Sequence, residues 1–375
     1  MQVLDAKYQK ALEKIQYYTK KFRGKDKLYS ENIDFNYPIH FEERVGYFNN
    51  KPVKRLIIRL RSSGCSWVQK TGGCTMCGFY SATGHGKKVT AKQYLLQIKN
   101  LMDEVNLDDY TIVGIYNDGN FFNENEISMN AVKGICDVLT NFKNIKRINF
   151  ESRAEYLILD RVKRIKNYLK DKDLEISVGF ESIKPEIIQL CINKGLQYLN
   201  YGKIFRDLQK NGIAIKPLIL LKPPFLTEKE SIDDVLHTIN YLVLNGIYNA
   251  DLEITTVMKN TLVYELWKRD LYHTAMLWSI RDLILRYKKR YGEKFNLYIS
   301  PWSYSVTSID KPKNCGKCDK EIIELFNEYN KNYDIKNLKD FYCSCIDTWN
   351  EKMQKINTMS IPERILYHLE KLENN

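Results

Sequence analysis

The chain has 375 residues, of which 44% are hydrophobic and 28% charged; this balance belongs to a globular protein with room for one large domain and a smaller one, and excludes a disordered or fibrous chain. Fifty-eight Lys and Arg against 46 Asp and Glu leave a net charge of +12, which favours an anionic partner such as nucleic acid, although a lysine-rich proteome would produce the same excess without one. The longest apolar runs, RLIIRL and KPLILLKP, are too short to cross a membrane. The opening MQVLDAKYQK lacks the basic-then-apolar pattern of a signal peptide. The expectation is a cytoplasmic protein with no membrane role, in which clustered cysteines bind metal rather than pair as disulfides.

The first predicted element is a basic helix within residues 7–27. Lys7, Lys10, Lys14, Lys20, Lys21, Arg23, Lys25 and Lys27 outnumber Glu13 and Asp26, while Leu4, Tyr8, Leu12 and Ile15 recur at helical spacing. One face would dock and the other would either meet RNA or simply be solvated. Residues 1–50 are assigned to this N-terminal basic helical extension.

From there strands and helices alternate. Ile- and Val-rich runs predict strands at 55–60, 111–116, 146–151, 174–180, 214–221, 251–257 and 296–300. Helical patterns fall at 90–104, 128–142, 155–171, 185–211, 228–246 and 262–291. Repeated βα units with apolar strands imply a parallel sheet in an α/β fold. Six or seven units fall short of an eightfold barrel. The expected architecture is a partial (β/α)6-type TIM barrel over 51–300, with a small metal-binding extension and capping helix over 301–375.

Polar residues collect where these strands end. RLIIRL runs into CSWVQKTGGCTMCGFY, TIVGIY into NDGNFF, KRINFE into SRAEY, and LEISVGF into ESIKPE. In parallel α/β folds the C-terminal strand ends form one rim. Cys65, Cys74, Cys77, Asn117, Asp118, Glu151, Arg153, Glu181 and Ser182 would share it. Three cysteines suit a [4Fe-4S] cluster with one iron left open to a small molecule. A zinc ion completed by His85 is the alternative, as is a thioredoxin-like C-x2-C pair, which needs no third cysteine.

Further on, Cys315-Gly-Lys-Cys318 and Cys343-Ser-Cys345 offer four thiolates in two short pairs. A structural Zn2+ is the first reading and an auxiliary iron–sulfur cluster the second. Cys136 and Cys191 sit alone in helical patterns and read as core. The five histidines form no ligand pair, and neither a nucleophile elbow nor a Walker loop is present.

These segments, in this order, resemble the radical S-adenosylmethionine (SAM) superfamily, with a cysteine spacing similar to that of the Elongator catalytic subunit. GGCTMCGFY is similar to the cluster loop, YNDGNFF to the motif that meets the SAM amino group, and FESRAEYL to the segment contacting SAM. SVGFES…CINKGL and LILLKPPFLTEKES are similar to later segments. The motif YNDGNFF departs from the small Ser/Gly residues usual there. PWSYSV…NCGKCD…FYCSCIDTW narrows the resemblance to the archaeosine-forming radical SAM enzymes.

The resemblance implies that Cys65, Cys74 and Cys77 hold three irons while the fourth chelates SAM, whose reductive cleavage gives a 5′-deoxyadenosyl radical. Asn117, Asp118 and Gly119 would orient the SAM amino group, and Glu151 and Arg153 its polar ends. Lys194 would pair with its carboxylate, Glu181 and Ser182 would stand nearby, and Phe79 and Tyr80 would pack at the adenine. Each has a structural alternative: an ion pair for Glu151 and Arg153, a helix end for Lys194, core packing for the two aromatics. The implied reaction is C–N cleavage of a lysine adduct of a 7-deazaguanine base in archaeal tRNA, a lyase step. The implied partners are tRNA, the lysine-transferring archaeosine synthase, and an electron donor such as a ferredoxin. Other tRNA reactions of the same superfamily, and a non-catalytic zinc-bearing RNA-binding protein, remain as alternatives.

Overall fold

The computed structural model describes residues 6–24, 33–196, 199–302 and 306–373. Leu4, Lys25, Asp26, Lys27 and the centre of PWSYSV lie outside the described residues. One eight-stranded sheet organises the chain, with strands in sequence order from β1 to β8. These are β1 His40–Phe48, β2 Lys51–Arg59, β3 Ile112–Tyr116, β4 Arg147–Ser152, β5 Asp173–Glu181, β6 Ala214–Leu221, β7 Asn249–Ile254 and β8 Asn296–Ile299. β1 is antiparallel to β2, and every later pair is parallel. The sheet curls as a half barrel, in line with the expected α/β architecture.

The antiparallel β1 was not expected, since its residues fall in the stretch read as a helical extension. Asn49 and Asn50 both take positive φ (50° and 60°) at the β1–β2 turn. That conformation suits a two-residue hairpin, and asparagine tolerates it better than other side-chain-bearing residues.

Helix α1 spans Ala6–Arg23. Between β2 and β3 come α2 Ser66–Thr71 and α3 Ala91–Met102. Then α4 Met129–Leu139, α5 Leu159–Tyr168, α6 Tyr201–Lys210 and α7 Glu228–Leu244 each precede the next strand. α8 Leu262–Trp267 and α9 Leu277–Tyr291 lie between β7 and β8. After β8 come α10 Asp319–Asn332, α11 Lys336–Asp340, α12 Ile346–Gln354 and α13 Ile361–Glu373. Two predicted helices are divided. A single π-turn at Ile187–Cys191 replaces the first part of 185–211, because Asn193 and Gly195 turn left-handed (φ 59° and 72°). In 262–291 a left-handed Asp270 (φ 59°) closes the first piece.

The two faces of β2 show why RLIIRL carries arginines. Leu56, Ile58 and Leu60 alternate outward into the core beneath the helices. Arg55 points inward, donates to Tyr116 Oη (2.8 Å) and Asn149 Oδ1 (3.3 Å), and faces Asp251 at 3.6 Å. Lys216 and Arg147 reach Glu175 at 3.4 Å each. The half barrel is therefore floored by a paired, hydrogen-bonded ionic layer, the condition under which buried charge is tolerated.

The open edge at β8 is covered by α10. Asn330 Oδ1 accepts from Ile299 N (2.9 Å) and Nδ2 donates to Ile299 O (2.8 Å), so one amide side chain supplies the missing ladder pair. A second core lies where the ends of the chain meet: Ala11, Ile15, Tyr18 and Phe22 of α1 pack with Ile365, Leu369 and Leu372 of α13 and with the π-turn. Lys14–Glu373 (2.8 Å) and Tyr18 Oη–Glu373 (2.6 Å) fasten the pair.

Candidate active site

Parallel pairing sends the C-terminal ends of β2 to β8 to one rim, and a cavity of about 1150 Å³, mouth included, opens there. Cys65, Cys74 and Cys77 line it, with Phe79, Asp118, Gly119, Glu151, Arg153, Glu181 and Lys194. Of the residues singled out in the sequence for the cofactor, Tyr80, Asn117 and Ser182 are not among the lining residues. Tyr80 packs against His85 with ring centroids 4.8 Å apart and ring planes inclined at 53°. Ser182 Oγ donates to Asp234 Oδ1 (3.0 Å), directed there after the left-handed Glu181 (φ 65°). Asn117 is fully buried and works through its backbone, whose N–H donates to Glu151 Oε1 at 2.8 Å.

The cysteine loop is held from several sides. Thr75 N donates to Ile192 O (2.9 Å), Thr75 Oγ1 to Cys191 O (2.6 Å), and Asn193 Nδ2 to Gly73 O (2.8 Å). Arg23, at the end of α1, donates to Gly72 O (3.2 Å) and to Cys77 O. This close approach requires glycine: at Gly72 (φ +88°) a Cβ would stand 2.6 Å from the backbone of Lys20. Arg23 is therefore buried against the loop, whereas the sequence placed it on a basic surface. Lys20 and Lys21 do remain exposed.

Charges around the thiols are mixed. Burial pushes Cys65 up to about 11, helped by Glu126, and Cys77 up to about 12. Cys74 is raised by burial too, but Lys194, Arg153 and Arg23 pull it down. Burial works against Lys194, yet Glu181 at 2.7 Å and the nearby Cys74 outweigh it and hold it protonated. Arg153 pairs with Glu155 (2.6 Å) and lies 4.7 Å over the Trp67 ring. Glu151 is pushed up to about 8, first by burial and then by Asp118, against the pull of Arg59.

Three thiols with cations beside them, and neither a histidine nor a fourth cysteine lining the cavity among the described residues, are a donor set that fits a cluster with one open corner. His85, the candidate completing ligand for zinc, sits against Tyr80 instead. Sequence reasoning missed Arg59, Tyr116, Asn120, Glu253 and Met258 on the walls. Arg59 faces Asp118 at 3.4 Å and lies over the Phe79 and Tyr116 rings. Its signal was the second arginine of RLIIRL, two residues from the strand's inward Ile57 and therefore on the same face.

The C-terminal cysteines form a different arrangement. Cys315, Cys318, Cys343 and Cys345 have ligand atoms within 4.8 Å of one another. Sulfur separations are 3.7 Å for Cys315–Cys318, 3.9 Å for Cys315–Cys343 and 3.6 Å for Cys318–Cys345. Cys318 and Cys345 each precede a helix, α10 and α12, and burial pushes both thiols up, Cys345 to about 12. Cys315 is drawn down to about 6 by the backbone N–H groups of Cys318 and Lys317. Four thiols gathered this way could hold a metal ion.

No family model matches the chain. It is 29% identical over 367 residues to an uncharacterised protein of Methanocaldococcus jannaschii, covering 96% of this chain and 97% of that one. It is 27% identical over 310 residues to the archaeosine synthase subunit beta of Methanosarcina acetivorans, covering 82% and 87%. Among solved structures, the Elp3 of Methanocaldococcus infernus superposes with a TM-score of 0.49 at 16% identity, over 68% of this chain and 60% of that one. The chain is thus a relative of an archaeosine synthase beta subunit over four fifths of its length, and it gathers at one cavity the cysteine loop and strand-end groups by which it resembles the radical SAM superfamily.

Proposed function

We propose that the protein is a radical SAM enzyme of tRNA modification, and that it cleaves a C–N bond in the lysine adduct of a 7-deazaguanine base to leave archaeosine. The observation that carries this reading is the joint lining of one cavity by Cys65, Cys74, Cys77, Asp118, Glu151, Arg153 and Lys194 in a chain 27% identical to a named archaeosine synthase beta subunit. A [4Fe-4S] cluster held by the three cysteines would supply, with SAM, a 5′-deoxyadenosyl radical. The chain's own part is to place and shield. Arg153 and Lys194 would offer positive charge to the SAM carboxylate, and Asp118 negative charge to its amino group, whose arrival would favour ionisation of the otherwise protonated Glu151. The ring of Phe79, under Arg59, would pack at the adenine. Asn117 and Ser182 would act indirectly, by holding Glu151 and the turn after β5, and Tyr80 by packing behind the loop.

For the C-terminal quartet we infer structural zinc. A tetrahedron of ~2.3 Å Zn–S bonds has edges of about 3.8 Å; the Cys315–Cys318, Cys315–Cys343 and Cys318–Cys345 sulfurs stand 3.6–3.9 Å apart, and all four lie within 4.8 Å of one another. A cubane would assign each thiol its own iron and spread them further. Partners on this reading are tRNA, the lysine-transferring archaeosine synthase and a ferredoxin-like donor, in the cytoplasm. Among the described residues no helix is long and apolar enough to cross a membrane. The test is anaerobic incubation with SAM, reductant and tRNA bearing the lysine adduct, followed by nucleoside mass spectrometry. Archaeosine that appears only when all three are present supports the reading; its absence from reconstituted, SAM-cleaving protein refutes it.

A further inference from the structure

Four carboxylates line the cavity: Asp118, Glu151, Glu181 and Glu253. Protein groups engage the first three. Asp118 faces Arg59 at 3.4 Å, Glu181 holds Lys194 at 2.7 Å, and Glu151 accepts the backbone N–H of Asn117 at 2.8 Å. Glu253, on β7, is engaged on one oxygen by a neutral donor: Ser300 Oγ to Oε1, 2.6 Å. Among the described residues it joins no ion pair, and Arg44 and Arg59 act on it only through space.

Its place on the wall also sets it apart. The arc from β2 to β5 and its loops bears the three thiols with Arg59, Arg153 and Lys194. β6 contributes the apolar Leu218 and Leu220, and β7 follows with Glu253, then Thr255 and Thr256 just beyond its end. A half-satisfied carboxylate facing a cavity calls for a charge-assisted donor, because a neutral one repays less of its desolvation. Burial pushes its carboxyl up, so an arriving cation would also restore its charge.

We propose that Glu253 is the substrate-side anion of this chamber, and that its second oxygen receives a cationic N–H group of the substrate. The inference rests on the reading above, and it deepens that reading by naming the group that would grip the lysine-bearing base. Two parts of such a substrate share this chemistry: the α-ammonium of the lysine arm, and the amidinium that joins the arm to the base.

The test uses reconstituted protein with SAM bound, comparing wild type with Glu253→Gln, which keeps the shape and the acceptor for Ser300. Glu253→Asp, which keeps the charge, is the second variant should the first fail to fold. Saturation-transfer NMR would follow three probes: 1,5-diaminopentane for the ammonium, acetamidine for the amidinium, and hexanoate as the anionic control. At least one cation should bind wild type and Glu253→Asp and lose its signal about fivefold or more in Glu253→Gln, while SAM binding by equilibrium dialysis stays within about twofold. The cation that responds identifies the group. Equal cation signals in wild type and Glu253→Gln, no cation signal at all, or a parallel loss of SAM binding overturns the proposal.

Turnover separates it from the reading beneath. If archaeosine forms, Glu253→Gln should raise KM for the modified tRNA about tenfold or more, as expected for a lost charged hydrogen bond. An unchanged KM removes the subsite and leaves the reaction standing. If wild type makes no archaeosine yet the cation signals discriminate, the reaction falls and the subsite stands.

Discussion

Cys315, Cys318, Cys343 and Cys345 gather their sulfurs within 4.8 Å of one another, whereas Cys65, Cys74 and Cys77 are spread along the wall of an open cavity. What surrounds each set differs in the same sense. The quartet closes on itself, with Trp278 Nε1 donating to Cys345 (3.2 Å) and Asn314 Nδ2 to Cys318 (3.5 Å). The trio's loop is fastened through its backbone by Arg23, Thr75 and Asn193, groups that need no metal. A site whose protein scaffold holds it can give a coordination position to chemistry. A site whose four thiols are all turned on one another has none to spare.

The sharpest way to break this comparison is to remove one ligand from each set. Cys74→Ala should abolish SAM cleavage, with a loss of at least ~1000-fold in 5′-deoxyadenosine formation, because a reactive cluster cannot be held on two thiols. Its unfolding should stay close to wild type, since the loop's backbone bonds remain; wild-type-like 5′-deoxyadenosine production would defeat the assignment. Cys318→Ser should do the reverse. Structural zinc contributes folding free energy directly, so a loss on the order of 3–5 kcal/mol is expected in urea unfolding, with one zinc missing by metal analysis. Unchanged stability would show that the quartet is not a structural metal site.

The same contrast explains what was legible in the sequence. β2 to β8 stood out because strands buried in a parallel sheet are written in Ile and Val, as in TIVGIY. β1, HFEERVGYF, did not, because it interleaves charge: Arg44 pairs with Glu42 within the strand, and the pattern reads as polar surface. The cysteines were legible because metal ligation fixes both residue type and spacing. Arg23 and Glu253 were not. Arg23 stands among seven other basic residues, and only the approach of Gly72, 49 positions away, shows that it is buried. Glu253 is one charge in DLEITTV, and only curling the sheet turns it into a cavity. Ser182 followed the strand-end rule, and a left-handed Glu181 turned it away.

On the open side, Glu151 sharpens the comparison through pH. In protein free of cluster and SAM its carboxyl is raised to about 8 from an unfolded value near 4.5. Between those values the native state binds more protons than the unfolded one, so stability falls as pH rises through the window. The slope from this group is at most ~1.4 kcal/mol per pH unit. Glu151→Gln should remove that component, leaving a shallower fall between about pH 5 and 8 than in wild type. Urea unfolding at a series of pH values reads it, and parallel curves for the two proteins would show that Glu151 is not held protonated by its surroundings.

The smallest expected effect concerns the surface of α1. Lys20 and Lys21 are exposed beside the buried Arg23, and Lys21 lies 5.7 Å over the ring of Tyr17. If this face meets the tRNA backbone, replacing both lysines with glutamine removes up to two phosphate contacts. The plot of log affinity against log salt should then become less steep by ~1–2, with modestly weaker binding at low salt. Both substitutions leave the Arg23 bonds to Gly72 and Cys77 in place, so SAM cleavage and thermal stability serve as controls. A salt slope identical to wild type would confine α1 to its inner task of holding the cysteine loop against α13, and the net charge of +12 would have to act on tRNA from another face.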